Sequence, residues 1–408
     1  MKKYLIVLLI SALMSGCGSG NRHRVSQSDG LYHINLESEI DRAKPANLTE
    51  IGSKITYIPL ETNENSVLRE HISRIRATDS HIALYCGNSE ILMFDSSGKF
   101  ISQIGKRGRG PGEYTNLTDF CFSTNGKKIH LLLREKIMEY DIEGKFINSF
   151  PLNAELFTSA RLSLRMIPID KNHLAIHQLN ISREIQNSLI VTDLQNEPLK
   201  IYQNHFKLTS ENPMPDYRIE PLYSYKDAVR FKQRGDGADT LFTVTQKELI
   251  PYAVFDLGKK SMPIDVSMSG ANYDEILKNI GAAGKYFVRE MSEDIDNIYF
   301  KLFDYRMLDG FTSRYLFGYF NKQGGNAKVI GEQRFQNNID GGLPFYPEYI
   351  VNGEILVDLV QAFDLREHVL SGNATEMRRL YGKNYDDLVK LAKSLKDEDN
   401  QVIALVQK

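Results

Sequence analysis

Apolar residues along this chain fall into short runs, punctuated by polar turns built on Asp, Gly and Asn. The clearest case is EILMFDSSGKFISQIG (Glu90–Gly105), whose pattern returns in KIMEYDIEGKFINSFPL (Lys136–Leu152). Shifting Ile91–Ile101 by 46 residues lays it on Ile137–Ile147 without a gap, and six of the eleven positions are then identical. Each copy reads as a strand, an Asp-x-x-Gly turn and a returning strand. Gly98 and Gly144 supply the positive φ of the turn, and Asp95 and Asp141 can bond the backbone two residues on. A period of ~40–50 residues made of several short strands is the signature of a propeller blade.

Weaker echoes follow at Ser188–Tyr202, Asp239–Gly258, Tyr315–Gly331 and Phe345–Val360. The pattern therefore predicts an all-β, six-bladed β-propeller. Blade one is read at His71–Gly105, two at Asn116–Leu152, three at Ser159–Tyr202, four at Tyr217–Gly258, five at Asp296–Gly331 and six at Phe345–Leu365. SKITYIPLET (Ser53–Thr62) alternates as a strand does, and an early strand of this kind completes the last blade and closes the ring. Two segments break the β pattern. Asn272–Ile280 has Tyr273, Ile276, Leu277 and Ile280 at helical spacing, and Thr375–Leu395 has Met377, Leu380, Leu388, Leu391 and Leu395 in helical register, broken near Gly382. Asn400–Lys408 ends the chain as a strand.

Between the two clearest copies lies Gly105-Lys-Arg-Gly-Arg-Gly-Pro-Gly-Glu-Tyr114, the crossing from blade one to blade two. Gly105, Gly108, Gly110 and Gly112 permit sharp turns and Pro111 stiffens one. A structural role is the preferred reading, with Glu113 bonding backbone amides or a nearby Arg. The alternative is an anion cradle around Lys106, Arg107 and Arg109. It is not a Walker A loop, because no Gly-Lys-Ser/Thr follows. The stretch resembles the linker of NHL-type propellers, in particular that of the six-bladed β-propeller lipoproteins of Bacteroidetes (NHL/TolB-like). Gly105, Gly108, Gly110, Pro111, Gly112, Glu113 and Tyr114 all match the G-x-x-G-x-G-P-G-E-Y motif. The resemblance implies a fold and an envelope location, and brings no catalytic residues.

The chain's start agrees with that location. Lys2 and Lys3 precede the apolar run Tyr4–Met14, which is too short to span a bilayer. Leu13-Met-Ser-Gly-Cys17 then reads as a lipobox with Cys17 as the lipidated residue. The expected division is residues 1–16 as signal peptide, 17–47 as lipidated tether and lead-in, and 48–408 as propeller with its C-terminal helical segment. Gly18 and Ser19 follow the Cys where an Asp would mark inner-membrane retention, which favours the outer membrane. Acyl chains give stable anchorage without a transmembrane helix.

Composition narrows the function rather than naming it. A net charge of −2 leaves no nucleic-acid footprint. No Ser sits in G-x-S-x-G, and His173 and His177, four apart in a strand, are read as polar strand positions. The acidic clusters Glu293-Asp294-Ile-Asp296 and Asp236-Gly-Ala-Asp239 are the places where calcium could sit; solvated turn carboxylates are the preferred reading, and no cofactor is expected. Cys86 and Cys121 lie in apolar strands, where unpaired buried Cys is common. There are 21 Tyr and 20 Phe but no Trp, which lowers a sugar-platform reading without removing it. The densest polar-aromatic group is Tyr217, Arg218, Tyr223, Tyr225, Lys226 and Arg230, a candidate rim pocket.

The leading expectation is a lipid-anchored, monomeric binding module for a glycan, peptide or envelope protein. The first rival is a propeller hydrolase or lyase, which needs two or three acidic or His side chains converging at one channel mouth. The second is a scaffold that docks to an outer-membrane uptake or assembly complex through Thr375–Leu395.

Overall fold

The computed structural model describes residues 30–68, 72–87, 90–157, 164–179, 186–204, 221–235, 237–264, 266, 273–283, 285–304 and 314–408. The expected leader and Cys17 lie outside these. Every expected hairpin is present, and the hairpins assemble into six antiparallel meanders arranged as the blades of a propeller. Blade one comprises Ile72–Ala77, His81–Cys86, Glu90–Asp95 and Phe100–Gln103. Blades two and three follow from Leu117 to Pro151 and from Leu164 to Gln203. Blade four runs from Leu222 to Asp256. Blade five begins at Tyr286, earlier than the sequence reading, because Tyr286–Glu293 is its innermost strand.

Blade six is assembled from distant pieces. Its order from the channel outward is Tyr349–Val351, Ile355–Val360, Val402–Gln407 and Lys54–Pro59. The early strand closes the ring, with Lys54 opposite Gln407 and Pro59 opposite Val402. The expected end of this blade at Leu365 is corrected by the structure. Ala362–Ser371 is a helix whose Ala362, Leu365 and Val369 are buried. It is followed by Ala374–Tyr381 and Lys383–Ser394, with the break at Gly382 in positive φ. The three helices are an insertion between the second and third strands of the blade, packed on Val360 and Val402. The helix at Tyr273–Ala283 matches its expected place.

The N-terminal lead-in is part of the propeller. Tyr32–Asn35 adds a fifth strand to blade four, parallel to its outer strand, with Tyr32 beside Ala253 and Asn35 beside Asp256. Ile34, Leu36 and Ile40 are buried in the core between blades four and five.

The core lies between the blades. Ala83 and Met93 of blade one pack on Phe120 and Leu131 of blade two. On the other side Leu84 and Leu92 meet Val357 and Ile403 of blade six. Both faces of blade one are thus covered by its neighbours, and Asn297–Asp304 of blade five is buried at every position. Fully burying each such apolar side chain contributes about 1.5–3 kcal/mol. Cys86 and Cys121 are buried and are not joined in a disulfide, and burial pushes the Cys121 thiol up.

The crossing at Gly105–Tyr114 is closed by its own residues. The Gly110 amide donates to Glu113 Oε2 at 2.7 Å, and the Gly108 amide to the Tyr114 carbonyl at 3.0 Å. Gly105 and Gly112 adopt positive φ. Tyr140 Oη donates to the Gly112 carbonyl at 2.8 Å and tethers the loop to blade two.

Candidate functional site

The innermost strands of all six blades line a central channel of about 1980 Å³. They share one direction along the axis. Residues near their starts therefore gather at one mouth, and residues near their ends at the other. At the first mouth stand Arg74, Arg165, Arg289 and Glu290, joined by Lys301, Arg334, Glu348 and Asp358. Asp170, His173, Lys226, Asp227, Gln246, Asn352 and Glu354 lie at the second.

The first mouth carries a continuous charged row on blades five and six. Arg334 places Nη1 at 2.7 Å from Asp358 Oδ2 and Nη2 at 2.9 Å from Glu348 Oε1. The other Glu348 oxygen is 2.7 Å from Lys301 Nζ, which also reaches Glu290 Oε2 at 2.6 Å. Arg289 continues the row, with Nε at 3.8 Å from Glu290 Oε1. Burial opposes the charge of Lys301, but Glu348 and Glu290 beside it outweigh this and hold its ammonium above its ordinary range. Burial pushes the Asp358 carboxyl from its ordinary 3.8 up to about 6, against the pull of Arg334. The Tyr346 and Leu359 amides donate to the same carboxylate at 3.2 and 2.8 Å.

Across the channel, Arg74 pairs with the fully buried Asp119 at 2.8 Å, and Arg76 stands 3.9 Å from the same oxygen. The second Asp119 oxygen accepts from the Met166 amide at 2.7 Å, so one carboxylate fastens blades one, two and three together. At the second mouth His173 Nδ1 lies 2.8 Å from Asp170 Oδ1, and Gln246 Nε2 donates to Asp170 Oδ2 at 2.8 Å. His177 is a separate, buried position that packs on Phe231.

Of the sequence-derived rim group, Tyr223, Tyr225 and Arg230 come together around Glu293, while Tyr217 and Arg218 lie outside the described residues. Arg230 Nε is 3.1 Å from Glu293 Oε2, and its guanidinium sits 3.5 Å over the Tyr252 ring. Lys322, Tyr223 and Tyr252 also bond Glu293, and Tyr223 borders the channel. Of the carboxylates read as solvated turn groups, Glu293, Asp294 and Asp239 are buried instead, while the Asp296 side chain is 47% exposed, as that reading has it, and Asp236 lies outside the described residues. Glu293 and Asp294 are 1% and 0% exposed, and Asp239 pairs with Lys232 at 3.0 Å. Strand pairing draws these turns inward, where each acid needs a partner. Among the described residues no group of three or more His, Cys, Asp or Glu is placed to hold a metal ion.

Sequence reasoning did not single out Glu290, Lys301, Arg334, Glu348 or Asp358. A signal was available for two of them. Lys301 sits in YFKLF and Asp358 in LVDLV, single charges inside runs that otherwise read as core. A charge at such a position is rarely buried without a partner.

Residues 31–407 match the family model described as Domain of unknown function (DUF4934). No curated protein matches the chain. Among solved structures, the chain is similar to a Bacteroides fragilis protein described as exported, with a TM-score of 0.67 at 17% identity, covering 93% of this chain and 100% of that one. It is also similar to a member of the DUF4221 family from Bacteroides vulgatus, with a TM-score of 0.53 at 11% identity, covering 88% and 97%. At these identities the likeness is one of fold.

Proposed function

The chain belongs to the DUF4934 family, and on that premise we propose that it is an envelope-anchored propeller that binds a ligand in its central channel. The observation that carries this is the channel itself. It is wide, lined by the inner strands of all six blades, and furnished at one mouth with charged side chains fixed by one another. Side chains converging from several blades on a concave surface are the usual setting of a binding site. The lipobox ending at Cys17 supports anchorage, and Gly18-Ser19 support the outer membrane. The Gly105–Tyr114 linker supports kinship with the NHL/TolB-like lipoproteins. No described helix is long and apolar enough to cross a membrane.

Two experiments test this. Cys17→Ala is expected to move the protein from the membrane to the soluble fraction; continued membrane residence would remove the anchor from the proposal. A photocrosslinking residue placed at Arg76, inside the channel, is expected to give an adduct in intact envelopes. The same group at Phe146, on the outer strand of blade two, is expected to give none. Adducts from the blade edge alone would count against the channel as the binding site.

One observation favours an enzyme as the second reading. Glu290, Glu348 and Asp358 converge at one mouth, as a channel hydrolase or lyase requires, and Asp358 is raised toward neutral pH. Product formation from a bound ligand, abolished by Glu348→Gln, would establish it; a ligand recovered intact would dismiss it.

A further inference from the structure

We propose that the blade-six side of the first mouth is a saccharide subsite, built from Glu348, Arg334, Gln361 and Gln401, and that the channel's ligand is an oligosaccharide. This rests on the channel-binding reading above.

Four observations lead there. Acceptors and donors alternate along the row Glu290, Lys301, Glu348, Arg334 and Asp358, and each cation is held by two carboxylates. The row is open to the channel at Glu290, Glu348 and Arg334, whose side chains are 28%, 27% and 34% exposed. A carboxylate keeps lone pairs beyond those used in the row, and a guanidinium carries five N–H donors. A hydroxyl both donates and accepts, so neighbouring hydroxyls of a sugar can span such a row, bonding a carboxylate with one and a guanidinium with the next.

The second observation is charge. Three carboxylates alternate with Arg289, Lys301 and Arg334, so this wall gives neither a cation nor an anion a net field. A ligand recognised here is read by its hydroxyls. A peptide bound as an added strand, by contrast, is read through backbone pairing along a strand edge, with pockets for alternate side chains, whereas this row is built of side chains alone.

Third, Gln401 borders the channel and is only 7% exposed. Its Nε2 donates to Gln361 Oε1 at 3.1 Å, while its Oε1 is buried with no hydrogen-bond partner. Whichever way the amide is turned, one polar end remains for a ligand. Buried polar groups are paired in folded proteins, so this end points to a hydroxyl brought by the occupant.

Size is the fourth. Drug-sized ligands occupy pockets of about 300–1,000 Å³, and a channel of about 1980 Å³ suits an oligomer. Tyr315, half-buried, borders the channel and offers ring surface to the C–H face of a sugar.

The test is titration calorimetry of the full chain in detergent micelles. The probes are short neutral gluco-, manno- and xylo-oligosaccharides, oligogalacturonate, a Gly-Ser peptide and inorganic phosphate. At least one saccharide is expected to bind. The neutral and uronate arms separate an uncharged ligand from an acidic one, and binding in either supports the proposal. Glu348→Gln and Gln401→Met are each expected to weaken that binding on the order of tenfold or more, whereas Phe146→Ser on the outer edge leaves it unchanged. Gln401→Met carries the test if Glu348→Gln fails to fold. Saccharide binding indifferent to both variants overturns the subsite. Binding of peptide or phosphate without saccharide overturns the ligand class and leaves the channel reading standing. Silence across every saccharide also overturns the ligand class, and the Arg76 crosslink then decides whether the channel reading survives.

Discussion

The Asp-x-x-Gly turns bind more than their own hairpins. Asp95 accepts from the Ser97 and Lys99 amides at 2.8 and 3.0 Å, closing the turn, and Gly98 completes it at positive φ. A Cβ at Gly98 would run into the Pro59 carbonyl on the outer strand of blade six. At Gly144 it would lie 2.6 Å from the Gln103 carbonyl on the outer strand of blade one. Blade three has Asn196 at this position, with φ 68°, and its Nδ2 donates to Pro151 on the outer strand of blade two at 2.8 Å. In all three blades the residue at this position presses on the outer strand of the blade before. Gly144→Ala is therefore expected to lose at least about 2 kcal/mol, because the left-handed conformation and the backbone overlap add. Gly382→Ala, at positive φ with open space around it, should lose only the conformational part. Denaturant unfolding of the two variants would reveal the difference, and equal losses would mean that the interblade contact is unimportant. A second prediction at this scale concerns Asp358. Its folded pKa of about 6 lies above its ordinary 3.8, so between those values the folded state holds a proton that the unfolded chain has released. This group's contribution to stability therefore falls as pH rises from 4 to 6. The stability of wild type relative to Asp358→Asn should fall across that window, and a flat difference would contradict the raised pKa. The turns themselves are legible in the sequence, because Asp and Gly declare local geometry. What they press against is not, since the contact joins turns to strands about one blade away.

Elements show the same division between local and distant signals. The hairpins, the helix near residue 273 and the break at Gly382 follow from periodicity and from a residue that tolerates positive φ. The helix Ala362–Ser371 was missed because its apolar positions continue directly from the strand Ile355–Val360, and short apolar runs do not reveal their period. The N-terminal strand was legible as a strand in HINLES, but not as a partner of blade four, since nothing local specifies a parallel neighbour more than 200 residues away. Its packing makes it integral. Leu36 and Ile34 are 0% exposed, and the Tyr32 ring meets Tyr252 and Phe320 edge-on at 5.4 and 5.5 Å. Leu36→Ala is expected to cost about 2–5 kcal/mol, as buried Leu truncations do. Thermal or denaturant unfolding would measure it. A loss below about 1 kcal/mol would mean that the arm rests on the propeller without supporting it.

At the scale of the whole molecule, one sheet decides whether six blades make a ring. Blade six takes its outermost strand from Lys54–Pro59 and the next from Val402–Gln407, so an early strand and the last strand of the chain are hydrogen-bonded to each other from Lys54/Gln407 to Pro59/Val402. Closure leaves no gap through which blades one and six could separate, and it buries Leu60, Val357 and Ile403 against Leu84 and Leu92. The charged row at the first mouth depends on it as well. Asp358 sits between neighbours on the second strand of this sheet, with Ala404 opposite it on the closing strand. Ending the chain after Gln401 would remove the strand that joins both sides. The early strand then has no partner in blade six, and two faces of the ring lose apolar cover. Such a truncation is expected to abolish the single cooperative unfolding transition and to expose blade one and blade six to limited proteolysis before the others. If the truncated protein unfolded in one transition at the wild-type midpoint, the ring would be held by its blade interfaces alone. The closing strand would then serve the site at blade six and not the fold.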